Sequence, residues 1–156
     1  MSLVSVGQPI PDFTAHSTQG EVSPQALKGR WAVLYFYPKD NTPGCTTEAQ
    51  DFRDNYKDFL AAECTVIGVS RDSLKSHIGF AEKQELPFPL IADPEETLCT
   101  LFDVIKMKNM YGKQVRGIER STFLIDPEGK LVQEWRKLRV SGHVQAVLQA
   151  LHDQAG

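Results

Sequence analysis

Apolar residues in this chain fall into short continuous runs that alternate with stripes of helical period. Residues 31–37, WAVLYFY, are nearly all apolar and end at Pro38, the pattern of a central strand covered on both faces. From 43 to 60 the period changes: Ala49, Phe52, Tyr56, Phe59 and Leu60 step by three and four, which predicts a helix with one face on the sheet. Residues 64–69, CTVIGV, read as a second buried strand, and Leu74, Ile78 and Ala81 mark a helix capped by Asp72 or Ser73. A further strand is predicted at 88–92, a short helix at 95–102, and a hairpin from 122–125 through Asp126-Pro127-Glu128-Gly129 to Leu131, Val132 and Trp135. The closing helix carries Val144, Val147, Leu148 and Leu151 on one stripe, with Ser141 as its cap. Weak alternation around Phe13-Thr14-Ala15 and Glu21-Val22-Ser23, turning at Gln19-Gly20, predicts a hairpin at the sheet edge. The expected fold class is α/β: a central mixed β-sheet flanked by helices, with an N-terminal β-hairpin. Without repeats, linkers or compositional breaks, residues 1–156 read as a single domain.

Composition narrows the function classes. With 41% hydrophobic and 24% charged residues the chain has enough apolar material for one packed core, so disorder is not expected. A formal net charge of −3 with no Lys/Arg run argues against a nucleic-acid partner. The opening MSLVSVGQPIPDF reaches Pro9 before a signal core could build, and no apolar run approaches membrane-spanning length. A soluble, cytoplasmic protein without a membrane partner is the expectation. Cys45, Cys64 and Cys99 are odd in number and widely spaced, which suits a reducing compartment and excludes a fully paired disulfide framework. No two Cys or His are spaced as a metal-ligand pair, so neither metal nor cofactor is expected.

The segment with the most chemistry is Pro38-Lys39-Asp40-Asn41-Thr42-Pro43-Gly44-Cys45-Thr46-Thr47-Glu48, between the first central strand and its helix. In α/β sheets ligands collect at such carboxyl ends of strands. Thr42 suits an N-cap and Pro43 a first helical position, which puts Cys45 in the first turn. There the free backbone N–H groups and the helix dipole favour thiolate over thiol. Cys45 also leads the stripe Ala49, Phe52, Tyr56, Phe59, so its sulfur should sit in a partly screened pocket, with the Thr42 hydroxyl aimed at it.

Pro38, Thr42 and Cys45 match the pattern P-x-x-x-T-x-x-C, and the longer P-x-x-x-T-P-G-C-T resembles the bacterioferritin comigratory protein, or peroxiredoxin Q, branch of the peroxiredoxins. The likeness runs through Gly7-x-x-x-Pro11-Asp12-Phe13, the strand-helix-strand centre, the block from Arg120 to Asp126, Gly129 and Lys130, and the closing helix. It implies a thioredoxin-like fold, a hydroperoxide substrate, Cys45 as the attacked-peroxide nucleophile that becomes a sulfenic acid, and a monomer. Thr42, backbone N–H groups at Gly44 and Cys45, and Arg120 would then stabilise charge on the leaving oxygen. Glu48 would orient Arg120, and Pro38 would shield the sulfur. In many of these proteins a second cysteine lies five residues on, where this chain has Gln50, or on the next helix, where residues 73–83 have none. Cys64 would lie at the far end of the sheet. Cys99 is better placed as a possible resolving residue, though its Leu98 and Leu101 neighbours point to burial. The expected cycle therefore uses one cysteine and an external thiol reductant: thioredoxin, glutaredoxin or glutathione. The alternatives are a two-cysteine cycle resolved by Cys99 and a non-catalytic redox sensor.

Other signals are discounted. Gly112-x-x-x-x-Gly117 lacks the Lys-Ser/Thr of a P-loop and reads as a loop. Cys45-Thr-Thr-Glu48 lacks the second cysteine of a C-x-x-C dithiol. His16, His77, His143 and His152 read as solvated or capping residues, and Arg116 as a surface arginine.

Overall fold

The structure, a computed structural model, describes residues 3–156; Met1 and Ser2, which open the stretch MSLVSVGQPIPDF, lie outside the described residues. The elements are β1 (Ala15–Ser17), β2 (Gly20–Val22), α1 (Pro24–Leu27), β3 (Trp31–Phe36), α2 (Pro43–Asp54), α3 (Tyr56–Ala61), β4 (Cys64–Ser70), α4 (Leu74–Gln84), β5 (Leu90–Ala92), α5 (Thr97–Leu101), β6 (Ile105–Met110), β7 (Lys113–Ile118), β8 (Ser121–Ile125), β9 (Leu131–Arg136) and α6 (His143–Ala155). Seven strands form one sheet in the order β2-β1-β5-β4-β3-β8-β9. β3 pairs parallel with β4 and β4 with β5; the remaining pairs of that sheet are antiparallel. The expected mixed sheet with an N-terminal edge hairpin is what the chain forms.

The apolar run of β3 is buried on both faces because the strand lies between β4 and β8. Ala32, Leu34 and Phe36 enter one core layer with Leu98 and Phe102 from the α5 region. Val33, Tyr35 and Tyr37 enter the other, with Phe52 of α2, Phe59 of α3, Phe80 of α4 and Val147 of α6. Phe52 is fully buried, with its ring stacked on Tyr35 at 4.6 Å between centroids, and this contact fixes α2 over β3. Truncating such a residue to Ala costs about 3–5 kcal/mol.

Several boundaries differ from expectation. The helix expected over 43–60 divides at Asn55, whose side-chain amide donates to the Asp51 carbonyl at 2.8 Å, a local bond that competes with helix continuation. On α4 the buried residues are His77 and Phe80, while Leu74 and Ile78 are exposed, so the apolar stripe was out of phase with the face that packs. Ser73 is the cap of that helix, accepting from Ser76 N–H at 3.1 Å, and Asp72 is engaged elsewhere. The stripe of α6 is buried as expected, but its N-cap is Gly142 at φ 73°, not Ser141. The stretch read as a loop around Gly112 and Gly117 is the hairpin β6–β7, turning at Tyr111 (φ 54°) and Gly112 (φ 79°). Two successive positive φ values match a tight primed turn. Most of this hairpin is exposed on both faces, so it shows no strand-like alternation. Among the described residues no helix is long and apolar enough to cross a membrane.

Candidate functional site

Beyond β3 the chain turns through Asn41 at φ 64° and enters α2 with Thr42 at the N-cap and Pro43 as the first helical residue. Cys45 is the third residue of α2, with 1% of its surface exposed. Thr46 N–H donates to Thr42 C=O at 2.9 Å, the first bond of the helix, so the N–H groups of Gly44 and Cys45 belong to the turn that has no partners of its own. The Thr42 side chain does not cap them and makes no hydrogen bond to sulfur; its hydroxyl donates to the Lys39 carbonyl at 2.8 Å. The expectation of a hydroxyl aimed at the sulfur is corrected accordingly: its proton is held by Lys39, which leaves the oxygen as an acceptor.

Arg120 arrives from the residue just before β8, 75 positions away in sequence, and its Nη2 lies 3.4 Å from Cys45 Sγ. Nη1 donates to Glu48 Oε1 at 2.6 Å, a nearly dry pair with side-chain exposures of 17% and 0%. A Cβ at Gly44 would stand 3.2 Å from Arg120 Nη2, so glycine there lets the guanidinium lie close against the first turn. Glu48 Oε2 is buried without a partner, and burial pushes the Glu48 carboxyl up to about 7 against the downward pull of Arg120. For Arg120 itself burial works against the charge, but Glu48 and Cys45 together raise its pKa. Pro38 and Arg120 share the wall of a cavity of about 430 Å³ with Met107, Lys108 and Leu138.

The other two thiols sit differently. Cys64 pairs with Trp31 at the opposite end of β3, and burial pushes its thiol up to about 12. Cys99 is fully buried in the core layer on the other face of the sheet from Cys45. Burial, then the charge of Asp93, raises its thiol well above the ordinary range.

Two of the histidines expected to be solvated or capping residues are buried. His143 is 5% exposed, its Nε2 lies 2.8 Å from Thr122 Oγ1, and burial lowers its pKa to about 4. His77 has no exposed surface and contacts Asp40, five residues before Cys45. Neither position carries a sequence signal beyond the polar residue itself, because the partners come from distant segments. His16 and His152 are exposed, as expected. Asp40, Asp72 and His77 bring ligand-type atoms within 4.8 Å of one another, but hydrogen bonds among themselves and to Tyr37, Ser70 and Ser76 engage those atoms.

A buried sulfur in contact with a fixed cation, at an open helix N-terminus, is equipped for nucleophilic attack on a polarised substrate, and this places the chain among thiol-redox proteins. The AhpC/TSA family model matches residues 6–134. Peroxiredoxin Bcp of Xanthomonas campestris pv. campestris is 60% identical over 131 residues, 84% of this chain and 82% of its own. Peroxiredoxin Bcp of Bacillus subtilis is 51% identical over 153 residues, covering 97% and 98% of the two chains. Among solved structures, peroxiredoxin Q of Xanthomonas campestris superposes with a TM-score of 0.90 at 51% identity over 99% of each chain. A structure of the bacterioferritin comigratory protein of the same organism, described for its alkyl peroxide reduction activity, gives 0.90 at 50% identity over all of both chains. This chain belongs to the AhpC/TSA family, among its Bcp and peroxiredoxin Q members, and shares their thioredoxin-like fold and thiol-dependent peroxidase activity.

Proposed function

We propose that this protein reduces hydrogen peroxide and small organic hydroperoxides through Cys45, in a one-cysteine cycle closed by an external thiol such as thioredoxin, glutaredoxin or glutathione. The Cys45 thiolate attacks one peroxide oxygen in line with the O–O bond; the S–O bond forms, the O–O bond breaks, and the departing oxygen leaves with the electron pair and takes a proton to become water or an alcohol. Negative charge moves from sulfur toward that oxygen. Arg120 Nη2 and the N–H groups of Gly44 and Cys45 stand fixed around it, and donors preorganised where charge develops are worth several kcal/mol each. Thr42, its own proton engaged by Lys39, accepts from the peroxide O–H. Glu48 holds the guanidinium, and Pro38 screens the site from the cavity side. The alkyl peroxide reduction activity described for the Xanthomonas relative favours organic hydroperoxides as substrates alongside hydrogen peroxide. The proposal takes residues 1–156 as one domain acting as a monomer in the cytoplasm, where thiols stay reduced.

One observation carries the reading: a single guanidinium touches both Cys45 Sγ and Glu48 Oε1. The test is peroxide consumption by the purified protein with a thiol reductant. Multiple turnovers are expected in the wild type, with none above background in a folded Cys45→Ser variant. Turnover retained in that variant would overturn the reading, and a single stoichiometric oxidation of the wild type would make the protein a sensor.

A further inference from the structure

The loop between β3 and α2 is held from below by a polar cluster that the peroxidase reading does not use. Asp40 is 4% exposed, yet both carboxylate oxygens are engaged: Tyr37 Oη donates to Oδ1 at 2.6 Å, and Ser76 Oγ donates to Oδ2 at 2.8 Å. His77 Nδ1 also lies 2.8 Å from Oδ2. On the far side of the ring, Nε2 lies 2.9 Å from the Ile91 carbonyl, an acceptor only, so Nε2 carries hydrogen. That assignment makes the Nδ1 to Oδ2 contact a bond with one proton shared between ring and carboxyl. The backbone of the same loop is tied as well: Asp40 N–H donates to Asp72 Oδ2 at 2.9 Å, and Ser70 Oγ donates to that oxygen at 2.6 Å. Thus Ser76 and His77 of α4 and Asp72 beyond β4 bond Asp40 directly, while β5 and the end of β4 reach it through His77 and Asp72. Asp40 is followed by Asn41 in the left-handed region and then by the N-cap of the Cys45 helix.

We propose that His77 and Asp40 form a clasp that positions the Cys45 turn for peroxide, so that His77 is a positioning residue acting through Asp40. The inference rests on Cys45 being the reactive thiol. Hydrogen bonds to Asp40 keep its carboxyl below the usual carboxylate range despite the opposing effect of burial, which is consistent with a charged, fully engaged clasp. The titratable groups facing the ring are Asp40 and Tyr37, with Asp72 one shared hydroxyl away at Ser70. A histidine whose ring nitrogens are both satisfied could serve stability alone. What sets this one apart is where its force is applied, five residues before the sulfur and across a left-handed turn. Reaction with peroxide requires the sulfur, the first-turn N–H groups and Arg120 in register, and a displacement near 1 Å costs on the order of a hundredfold. Alkylation requires only that the sulfur be reached, and Cys45 is 1% exposed.

The two reactions therefore separate a positioning role from a structural one. The variants are Asp40→Asn, His77→Gln and the double substitution, each confirmed folded by circular dichroism and assayed well below its unfolding midpoint. The expected result is a fall of about tenfold in the second-order rate constant with hydrogen peroxide, a rise of severalfold in Cys45 alkylation by iodoacetamide, and a double variant no worse than the worse single one. If His77→Gln does not fold, Asp40→Asn alone decides. Unchanged rates in folded variants would overturn the clasp, and so would slower peroxide reaction without faster alkylation, or multiplied losses in the double variant. If the wild type shows no peroxide turnover, the peroxidase reading fails instead, and the alkylation rates still report whether the clasp holds the turn.

Discussion

Two helices of this molecule start from the same ingredients. α2 has Cys45 as its third residue, with Glu48 and Arg120 beside it; α5 has Cys99 as its third residue, with Glu96 adjacent and Arg116 lining the same cavity wall. The difference lies in who satisfies whom. At α5, Asp93 accepts from the N–H groups of Leu98 and Cys99 at 3.1 and 2.9 Å, filling the anion position that the helix end offers. Arg116 gives both of its terminal nitrogens to Glu96, and Arg71 adds a third donor, so no cation is left over for sulfur. At α2 the cap residue leaves the N–H groups open, and Arg120 gives one nitrogen to Glu48 and the other to the thiol. The two glutamates record the contrast: hydrogen bonds from Arg116 hold Glu96 down at about 2, whereas burial pushes Glu48 up to about 7 with one oxygen unpartnered. On the proposed function, what makes Cys45 rather than Cys99 the reactive thiol is the incomplete satisfaction of its neighbours, not any residue type.

The largest expected break in this comparison comes from the arginines. Arg120→Ala should lower the second-order rate constant with hydrogen peroxide by about a hundredfold or more, the usual cost of removing a preorganised donor from developing charge. Arg116→Ala, whose partner Glu96 lies away from Cys45, should stay within about twofold. Stopped-flow rates of Cys45 oxidation check both, and equal losses would show that the two arginines are interchangeable.

A smaller effect separates the glutamates through pH. Glu48 has its pKa raised on folding, so it adds stability that is complete below the ordinary carboxylate range and is lost as pH rises through about 7. Glu96 has its pKa lowered, so its contribution is complete above that range and is lost as pH falls toward about 2. Urea unfolding across pH should therefore show a decline between about pH 4.5 and 7 that Glu48→Gln flattens, and an acid-side decline that Glu96→Gln flattens. At a pH above about 7, where Glu48 is ionised, the peroxide rate should fall about tenfold in Glu48→Gln because Arg120 loses its charged anchor, and should hold in Glu96→Gln. Flattening on the same side of neutrality in both variants would contradict the assignment.

How far such contrasts can be read from sequence depends on range. Cys45, Ala49, Phe52 and Phe59 are legible as one buried stripe because helical period and first-turn geometry are local, though Tyr56 is only partly buried and Leu60, expected on the same face, is exposed once the helix divides at Asn55. WAVLYFY is legible because burial on both faces writes itself as a continuous run. Arg120 beside Cys45 came from family resemblance; nothing local in either segment announces a contact 75 residues apart. Leu74, Ile78 and Ala81 mark α4 as a helix, but its inward face is set by a polar residue, His77, whose partner Asp40 lies 37 positions away and is not announced by any local pattern. In β6–β7 only the end nearest the sheet, Ile105 and Ile118, packs on the core, and the rest is mostly exposed, which removes the sustained alternation that reveals a strand. Thr42 was placed at the right helix position, but its hydroxyl chose Lys39, a competition between neighbouring backbone groups that residue type does not decide.

The smallest expected effect is the one that tests the other half of the comparison: replacing Cys99 should change almost nothing in the first oxidation step. Its sulfur lies in the core layer across the sheet from Cys45, its thiol is held protonated by burial and by Asp93, and its helix end is already occupied. A disulfide needs Cα atoms within about 7 Å, which two residues on opposite faces of a packed sheet reach only by unfolding. Cys64 is excluded on similar grounds, paired to Trp31 at the far end of β3. Treatment with one equivalent of peroxide in the absence of reductant, followed by dimedone and mass spectrometry, should give a labelled Cys45 in the wild type. Cys64→Ser and Cys99→Ser should give the same product, with oxidation rates within about twofold of the wild type because neither thiol touches the reacting centre. Rapid formation of an internal Cys45–Cys99 disulfide, lost in Cys99→Ser, would mean that α5 leaves its seat during the cycle, and the contrast between an open and a satisfied helix end would then describe only the resting enzyme.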